Sequence, residues 1–334
     1  MDKFKNFLGI DVSKEFFDAV IILNSDKNTA VHEQFTNNSD GLKQMFKWLK
    51  SHKAYATDTL ICLEHTGVYG TFILEHCASK SFHIWLEMPI NIIKSSGLQR
   101  GKNDKVDAQR IAVYAMKNHT DAKLYKAPRP VILEIRKLLS LRESLLEMKT
   151  ILQVQNKEFS AFNPQLGKEL ARYSKGSLQS LIKDIKEIEL KLSTIIKEDE
   201  NLKRLFSQIT SVPGIGKITA MKMICYTNEF TKYNTPRQLA CYCGVVPFDH
   251  TSGKSVRGKS RVHFMANKDL KQTLHMCALS SVRSKKGSMS AYYERKVAEG
   301  KNKMLVLNNI KNKLIHIVCA CVAGNRLYEV RNAA

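Results

Sequence analysis

Residues 7–14 read FLGIDVSK, an apolar run over 7–10 that ends in Asp11. A run this short, bounded by polar residues, reads as a buried strand. The same pattern returns in 59–70, TLICLEHTGVYG, where the apolar run over 60–63 ends in Glu64. A third stretch, 100–112, RGKNDKVDAQRIA, sets Asp104 and Asp107 at i and i+3 where a helix is predicted to begin. Both carboxylates then leave one face of its first turn. Singly, each has a structural explanation: Asp11 can cap a turn through DVSK, and the helical pair suits the positive end of a helix dipole. Jointly, two strand-end carboxylates and a helical pair able to face them need a neutralising cation, and hard oxygen ligands select Mg²⁺ or Mn²⁺.

Outward from these stretches, residues 1–128 read as an α/β unit. FLGIDV, DAVIIL and AVHEQFT are three consecutive strand-like segments, followed by a helix over 41–51, the strand LICLE, a helix over 69–80, the strand HIWLEM and the helix carrying Asp104 and Asp107. Three antiparallel strands, then helix, strand, helix, strand, helix, is the element order of RNase H-like and RuvC-like nucleases. The APRP at 127–130 ends the unit.

Composition points to a polyanionic partner. The 334 residues include 53 Lys and Arg against 31 Asp and Glu, a net charge of +22. An excess of that size suits nucleic acid, and neither end of the sequence shows a basic amphipathic helix with a Trp, Phe and Leu face that would favour a membrane instead. The eight cysteines form no CxxC pair, and the C-x-C pairs 241/243 and 319/321 lack zinc spacing, so free thiols of a reduced cytoplasm are expected. The apolar stretch at the start is too short for a signal peptide, and that over 314–324 is too short to span a bilayer.

Residues 129–205 change character. Ile132, Ile135, Leu138, Leu139, Leu145, Leu146 and Leu152 recur at helical intervals, as do Leu178, Leu181, Ile182, Ile185, Ile188, Leu192, Ile195 and Ile196, with Pro164, Gly167 and Gly176 interrupting between the two sets. Two long helices in a hairpin are expected. Their narrow stripes suit a coiled-coil seam with another copy, although a hairpin that packs only on itself would show the same pattern.

Near the start of residues 206–334 stands ITSVPGIGKITAMKM, whose VPGIGK reads as the turn of a helix-hairpin-helix in which backbone N–H groups meet a phosphate and Lys217 and Lys222 add charge. A plain Gly-rich helix connector gives a similar string. Downstream, 239–262 run from a mostly apolar stretch into a loop dense in Ser, Gly, Lys and Arg, with Lys254, Arg257, Lys259 and Arg261 around Ser252, Ser255 and Ser260. A solvated basic loop that binds phosphate without chemistry is the plainer reading of that composition.

In combination, GIDVSK, LEHTGVYG, KNDKVDAQRIA, SVPGIGKITA and GVVPFDHTSGKSVRGKSRV resemble the DEDD transposases of the insertion-sequence family numbered one hundred and ten. The resemblance covers essentially the whole chain, with a Gly-Val-Val-Pro where the family usually has Gly-Leu-x-Pro. It implies a RuvC-like domain (1–128), a coiled-coil oligomerisation arm (129–205) and a mostly α-helical transposase domain carrying the serine (206–334). By this resemblance the acidic tetrad falls on Asp11, Glu64, Asp104 and Asp107, as catalytic residues and Mg²⁺ ligands, and the nucleophilic serine on Ser252. Lys102, Lys105, Lys217, Lys254, Arg257, Lys259 and Arg261 are the candidate nucleic-acid contacts. The implied activity is bridge-RNA-guided recombination of donor and target DNA through a covalent phosphoserine, by a homodimer or homotetramer in which the serine of one subunit works with the acidic site of another. Two other readings stand beside it: a RuvC-type nuclease that cleaves branched DNA by water attack, and an inactive nucleic-acid-binding scaffold.

Overall fold

The computed structural model describes residues 4–65, 67, 69–95, 97, 103–252, 256–284 and 288–329, with the side chains of 249–252, 256, 257 and 259 outside that description. The chain divides into two compact units, Met1–Ala127 and Pro128–Ala334.

In the first unit, β1 (Asn6–Val12), β2 (Phe16–Ile22) and β3 (Val31–Thr36) are followed by α1 (Ser39–Ser51), β4 (Thr59–Glu64), α2 (Thr71–Ser79), β5 (His83–Glu87), α3 (Pro89–Ser95) and α4 (Asp104–Asn118). One mixed sheet results, in the order β3-β2-β1-β4-β5. β1 runs antiparallel to β2, and β2 to β3, while β1, β4 and β5 are parallel. The period-2 pleat sorts side chains between the faces. Leu8, Ile10 and Val12 enter a core with Leu42, Met45 and Leu49 of α1 and Ile73, Leu74 and Cys77 of α2. Phe7 enters the opposite core, with Leu60, Cys62, Trp85 and the α4 residues Ala108, Ile111, Ala112 and Ala115. The small residues on α4 admit a close crossing, and a Cβ on Gly9 would collide with the backbone of Ala108 and Ala112. Helix and central strand are therefore in contact along the Phe7, Gly9, Asp11 face.

The second unit is mostly helical. It begins with α5 (Pro130–Phe162) and α6 (Pro164–Glu198), an antiparallel pair in which 33 residues of α5 span roughly 50 Å at the usual rise. Gly167 and Gly176 do not interrupt, contrary to expectation. Pro164 takes the first helical position, where its missing N–H is harmless, and Asn163 caps the helix by accepting from Leu166 N at 3.2 Å. Gly167 sits where a Cβ would strike Ser160 of α5, so it serves a close helix approach near the turn. The root of the pair joins the main core of the unit through Ile132, Ile135, Leu139, Leu192, Ile195 and Ile196. Arg129 ties that root down, pairing with Asp199 at 2.7 Å and Glu229 at 2.6 Å.

Beyond it come α7 (Glu200–Thr210), α8 (Lys217–Tyr226), α9 (Pro236–Tyr242), a ribbon of β6 (Phe248–Ser252) and β7 (Val256–Arg261), α10 (Lys268–Arg283), α11 (Ser288–Ala298) and α12 (Lys303–Ala323). α12 is long and apolar enough to cross a bilayer by length and composition, and it packs Val306, Leu307, Ile310, Leu314, Ile315 and Val318 into the core of this unit. The expected loop around Ser252 is a β-ribbon instead, with an irregular register between Phe248 and His250. Gly, Ser and Lys have low strand propensity, and pairing between the two segments overrides it.

Candidate active site

β1, β4 and β5 each carry an acid on the α4 face at or next to their C-terminal residue. Asp11 shares that face with Phe7 and Gly9, and Glu64 shares it with Leu60 and Cys62. The parallel register sets Ile10 opposite Leu63, so Asp11 and Glu64 lie at the same level on neighbouring strands. α4 runs back along β1, with Ala108 and Ala112 over Gly9 and His119, just past its end, against Phe7, ring centroids 5.2 Å apart. Its first turn therefore lies at the Asp11 end. Asn103 caps that turn, accepting from Lys105 N at 3.0 Å, and Asp104 and Asp107 occupy it.

The carboxylates feel one another. Asp11 is pushed up to about 6, first by burial, then by the charges of Asp104 and Asp107, with Asp18 a smaller contributor and a backbone hydrogen bond at Val12 acting the other way. Asp107 is paired with Arg110 one turn along α4, so part of the negative charge is met internally. Oxygen donors of this kind fit a hard divalent cation in chemistry. Among the described residues no three His, Cys, Asp or Glu side chains stand close enough to hold an ion as they are.

Two further acids border the cluster. Glu87 ends β5 in register with Glu64 and accepts from Tyr114 OH at 3.1 Å, Asn91 Nδ2 at 2.9 Å and Met88 N at 2.7 Å. Its sequence signal, HIWLE, is the same apolar run ending in an acid that marks Asp11 and Glu64. Asp18 is directly opposite Asp11 in β2, buried, with His32 Nε2 at 2.6 Å and Gln34 Nε2 donating at 3.0 Å. An acid inside the apolar run DAVIIL was the available sign. Both are satisfied by neighbours, which suits them to fixing the strand ends.

In the second unit the predicted residues separate. Lys217 opens α8 and is exposed, with Gly216 as its cap. Gly214 has φ +91° and packs where a Cβ would meet Ser281 and Cys277, so its left-handed turn also seats the α7–α8 connection on α10. Lys222 corrects the expectation of a phosphate contact. It is buried and paired with Asp269 at 2.6 Å and Glu143 at 2.8 Å, because position 222 faces inward on α8. Ser252 is the last residue of β6, its backbone paired with Val256, and Arg257 pairs with Thr251. The side chains of Ser252, Arg257 and Lys259, and all of Lys102, Lys254 and Ser255, lie outside the described residues. Lys105 and Arg261 are exposed.

Comparison with known proteins bears on both units. Residues 8–159 match a family model of DEDD type described as Transposase, and residues 207–294 match the Transposase IS116/IS110/IS902 family. Over 331 residues the chain is 26% identical to the pilin gene-inverting proteins of Moraxella bovis and Moraxella lacunata, with 98% of each chain covered. It is 29% identical over 126 residues to an insertion element IS110 uncharacterized 43.6 kDa protein of Streptomyces coelicolor, covering 38% of this chain and 31% of that one.

Proposed function

Because the chain belongs to the IS110 family of DEDD transposases, we propose that this DNA recombinase joins element and target DNA by serine attack assisted by Mg²⁺ or Mn²⁺, with Asp11, Glu64, Asp104 and Asp107 as the metal ligands. One arrangement carries the reading: Asp11 and Glu64 level on adjacent strands, beneath the turn of α4 that bears Asp104 and Asp107, with Asp11 raised first by burial and then by the charges of that turn. A bound cation would relieve that repulsion, polarise the scissile phosphate and stabilise the leaving oxygen.

The chain's own residues do the rest. Ser252 Oγ bonds to phosphorus as the bond to one deoxyribose oxygen breaks. The serine proton passes to solvent and the leaving oxygen takes one up. A deoxyribose hydroxyl of the new partner strand then attacks the phosphoserine, releasing Ser252 and joining the strands. Phosphodiester energy is conserved, so no nucleotide cofactor is needed. Lys102, Lys105, Lys217, Lys254, Arg257, Lys259 and Arg261 are proposed to hold flanking phosphates, a positioning role. Choice of DNA sites is assigned to base pairing with a noncoding bridge RNA.

The sheet order supports a RuvC-like, RNase H-like assignment of the first unit, and the α7–α8 turn a helix-hairpin-helix. Apolar side chains left exposed along the hairpin pair, among them Leu141, Met148 and Ile151, support its role as a coiled-coil arm that joins two or four copies in the cytoplasm. A water-attack nuclease is the second reading, favoured by an acidic cluster that lies wholly within one unit. Denaturing gels on a nicked substrate DNA separate the two. A covalent adduct lost in Ser252→Ala and kept in Ser255→Ala and Ser260→Ala supports the serine. Metal-dependent cleavage with no adduct supports water.

A further inference from the structure

Lys311, on the inner face of α12, is 6% exposed. Among the described residues its ammonium has no ion pair or hydrogen-bond partner, and neither has that of Lys271 on α10, whose charge acts on it. The stem of Lys311 is buried while its ammonium still reaches solvent; an unpaired, partly desolvated ammonium is costly, and a second cation beside it adds to the cost. Among the described residues no acid of the helices packed on α12 pairs with either lysine: Glu200 of α7 pairs with Lys203, and Glu294 of α11 accepts from Ser290. α9 and α12 carry no acidic residue. The one acid of α10, Asp269, is taken by Lys222 Nζ at 2.6 Å and Tyr226 OH at 3.0 Å. Burial, then the charge of Lys271, holds Lys311 below the usual lysine range.

The location gives the pair a use. The Lys271 side chain lies against Gly244, whose φ is +65°, and Asn308, one turn before Lys311, donates to Val245 O at 2.8 Å. Gly244 and Val245 lead through Pro247 into β6, so both lysines flank the root of the β6–β7 hairpin. We propose that Lys311 and Lys271 form a subsite for a backbone phosphate of the DNA on which the second unit acts, an inference that rests on the recombinase reading above. Ser252 stands at the far end of β6, at about 3.3 Å per residue along the strand, so the phosphate at the root is a flanking one. It supplies the anion that the fold withholds.

The test is equilibrium binding of the full-length protein to a random-sequence duplex and, separately, to a structured RNA, each across a salt series. Losing one phosphate contact lowers the slope of log affinity against log salt by close to one unit. Lys311→Met and Lys271→Met are expected to show that loss, with affinity down several-fold at moderate salt, and Lys311→Arg to retain the slope. Lys311→Met removes an unpaired, partly desolvated charge, so its thermal midpoint should match or exceed that of the wild type. Should it fail to fold, Lys271→Met, at a half-buried site, gives the same readout. Slope loss on the duplex supports the DNA subsite, and loss on the RNA alone reassigns the phosphate to RNA and overturns it. Unchanged slopes on both, with wild-type binding intact, also overturn it. A wild type that binds neither polymer sinks the recombinase reading itself.

Discussion

At Asp11, burial and two neighbouring aspartates raise the carboxyl to about 6 from an ordinary value of 3.8, and the sign of the consequence is fixed. A carboxyl whose folded-state value lies above its unfolded one favours folding when protonated. Stability therefore falls as pH rises from about 4 to about 6, and the deficit persists above that. Asp11→Asn should accordingly stabilise the metal-free protein at pH 7 by about 1–2 kcal/mol, after allowance for solvent screening, and leave it unchanged at pH 4. Urea titrations in a chelator at the two pH values check this. The same variant should lose recombination, and Mg²⁺ should raise the wild-type midpoint more than the variant's. Lys222 gives a second expectation. Its replacement by Ala removes the cation shared by Glu143 and Asp269 and should cost about 2–4 kcal/mol, a loss read from the same titrations. Sequence could name Lys222 as a cation of α8 but not its direction, since the face of a helix that turns inward is set by what packs on it.

The α5–α6 pair shows the same division among elements. Two apolar stripes at helical spacing were legible, and so were the helices. Which apolar side chains the hairpin keeps for itself was not. Ile185 is buried within the unit, whereas Leu141, Met148 and Ile151 stand at least half exposed at 51, 54 and 57%. Met148→Glu combined with Ile151→Glu should weaken self-association, read by light scattering, and leave helicity unchanged. Ile185→Glu should instead destabilise the hairpin by about 2–4 kcal/mol, because it buries an unpaired charge. An association unmoved by the exposed pair would remove the coiled-coil role of this face. The β6–β7 ribbon illustrates a harder case: its Gly, Ser and Lys content reads as loop, and only pairing between its two segments makes strands.

For the whole molecule, a net charge of +22 predicts nucleic-acid binding that weakens steeply with salt, each phosphate contact adding close to one unit to the slope. Filter binding between low and moderate salt checks it, and a flat response would contradict the phosphate-contact reading. The chain's sequence determined the strand and helix order of the first unit apart from the short helix α3, because apolar period and turn residues act locally. It also marked Asp11, Glu64, Asp104 and Asp107, because an acid that ends a buried run or opens a helix stands out against its neighbours. Tertiary structure alone decided that Asp11 and Glu64 share the face crossed by α4, that Asp18 and Glu87 border them, that Lys222 is paired with two carboxylates and that Lys311, among the described residues, is paired with none. Those outcomes depend on strand register and helix rotation, which bring together residues far apart in the chain and leave no local trace in it.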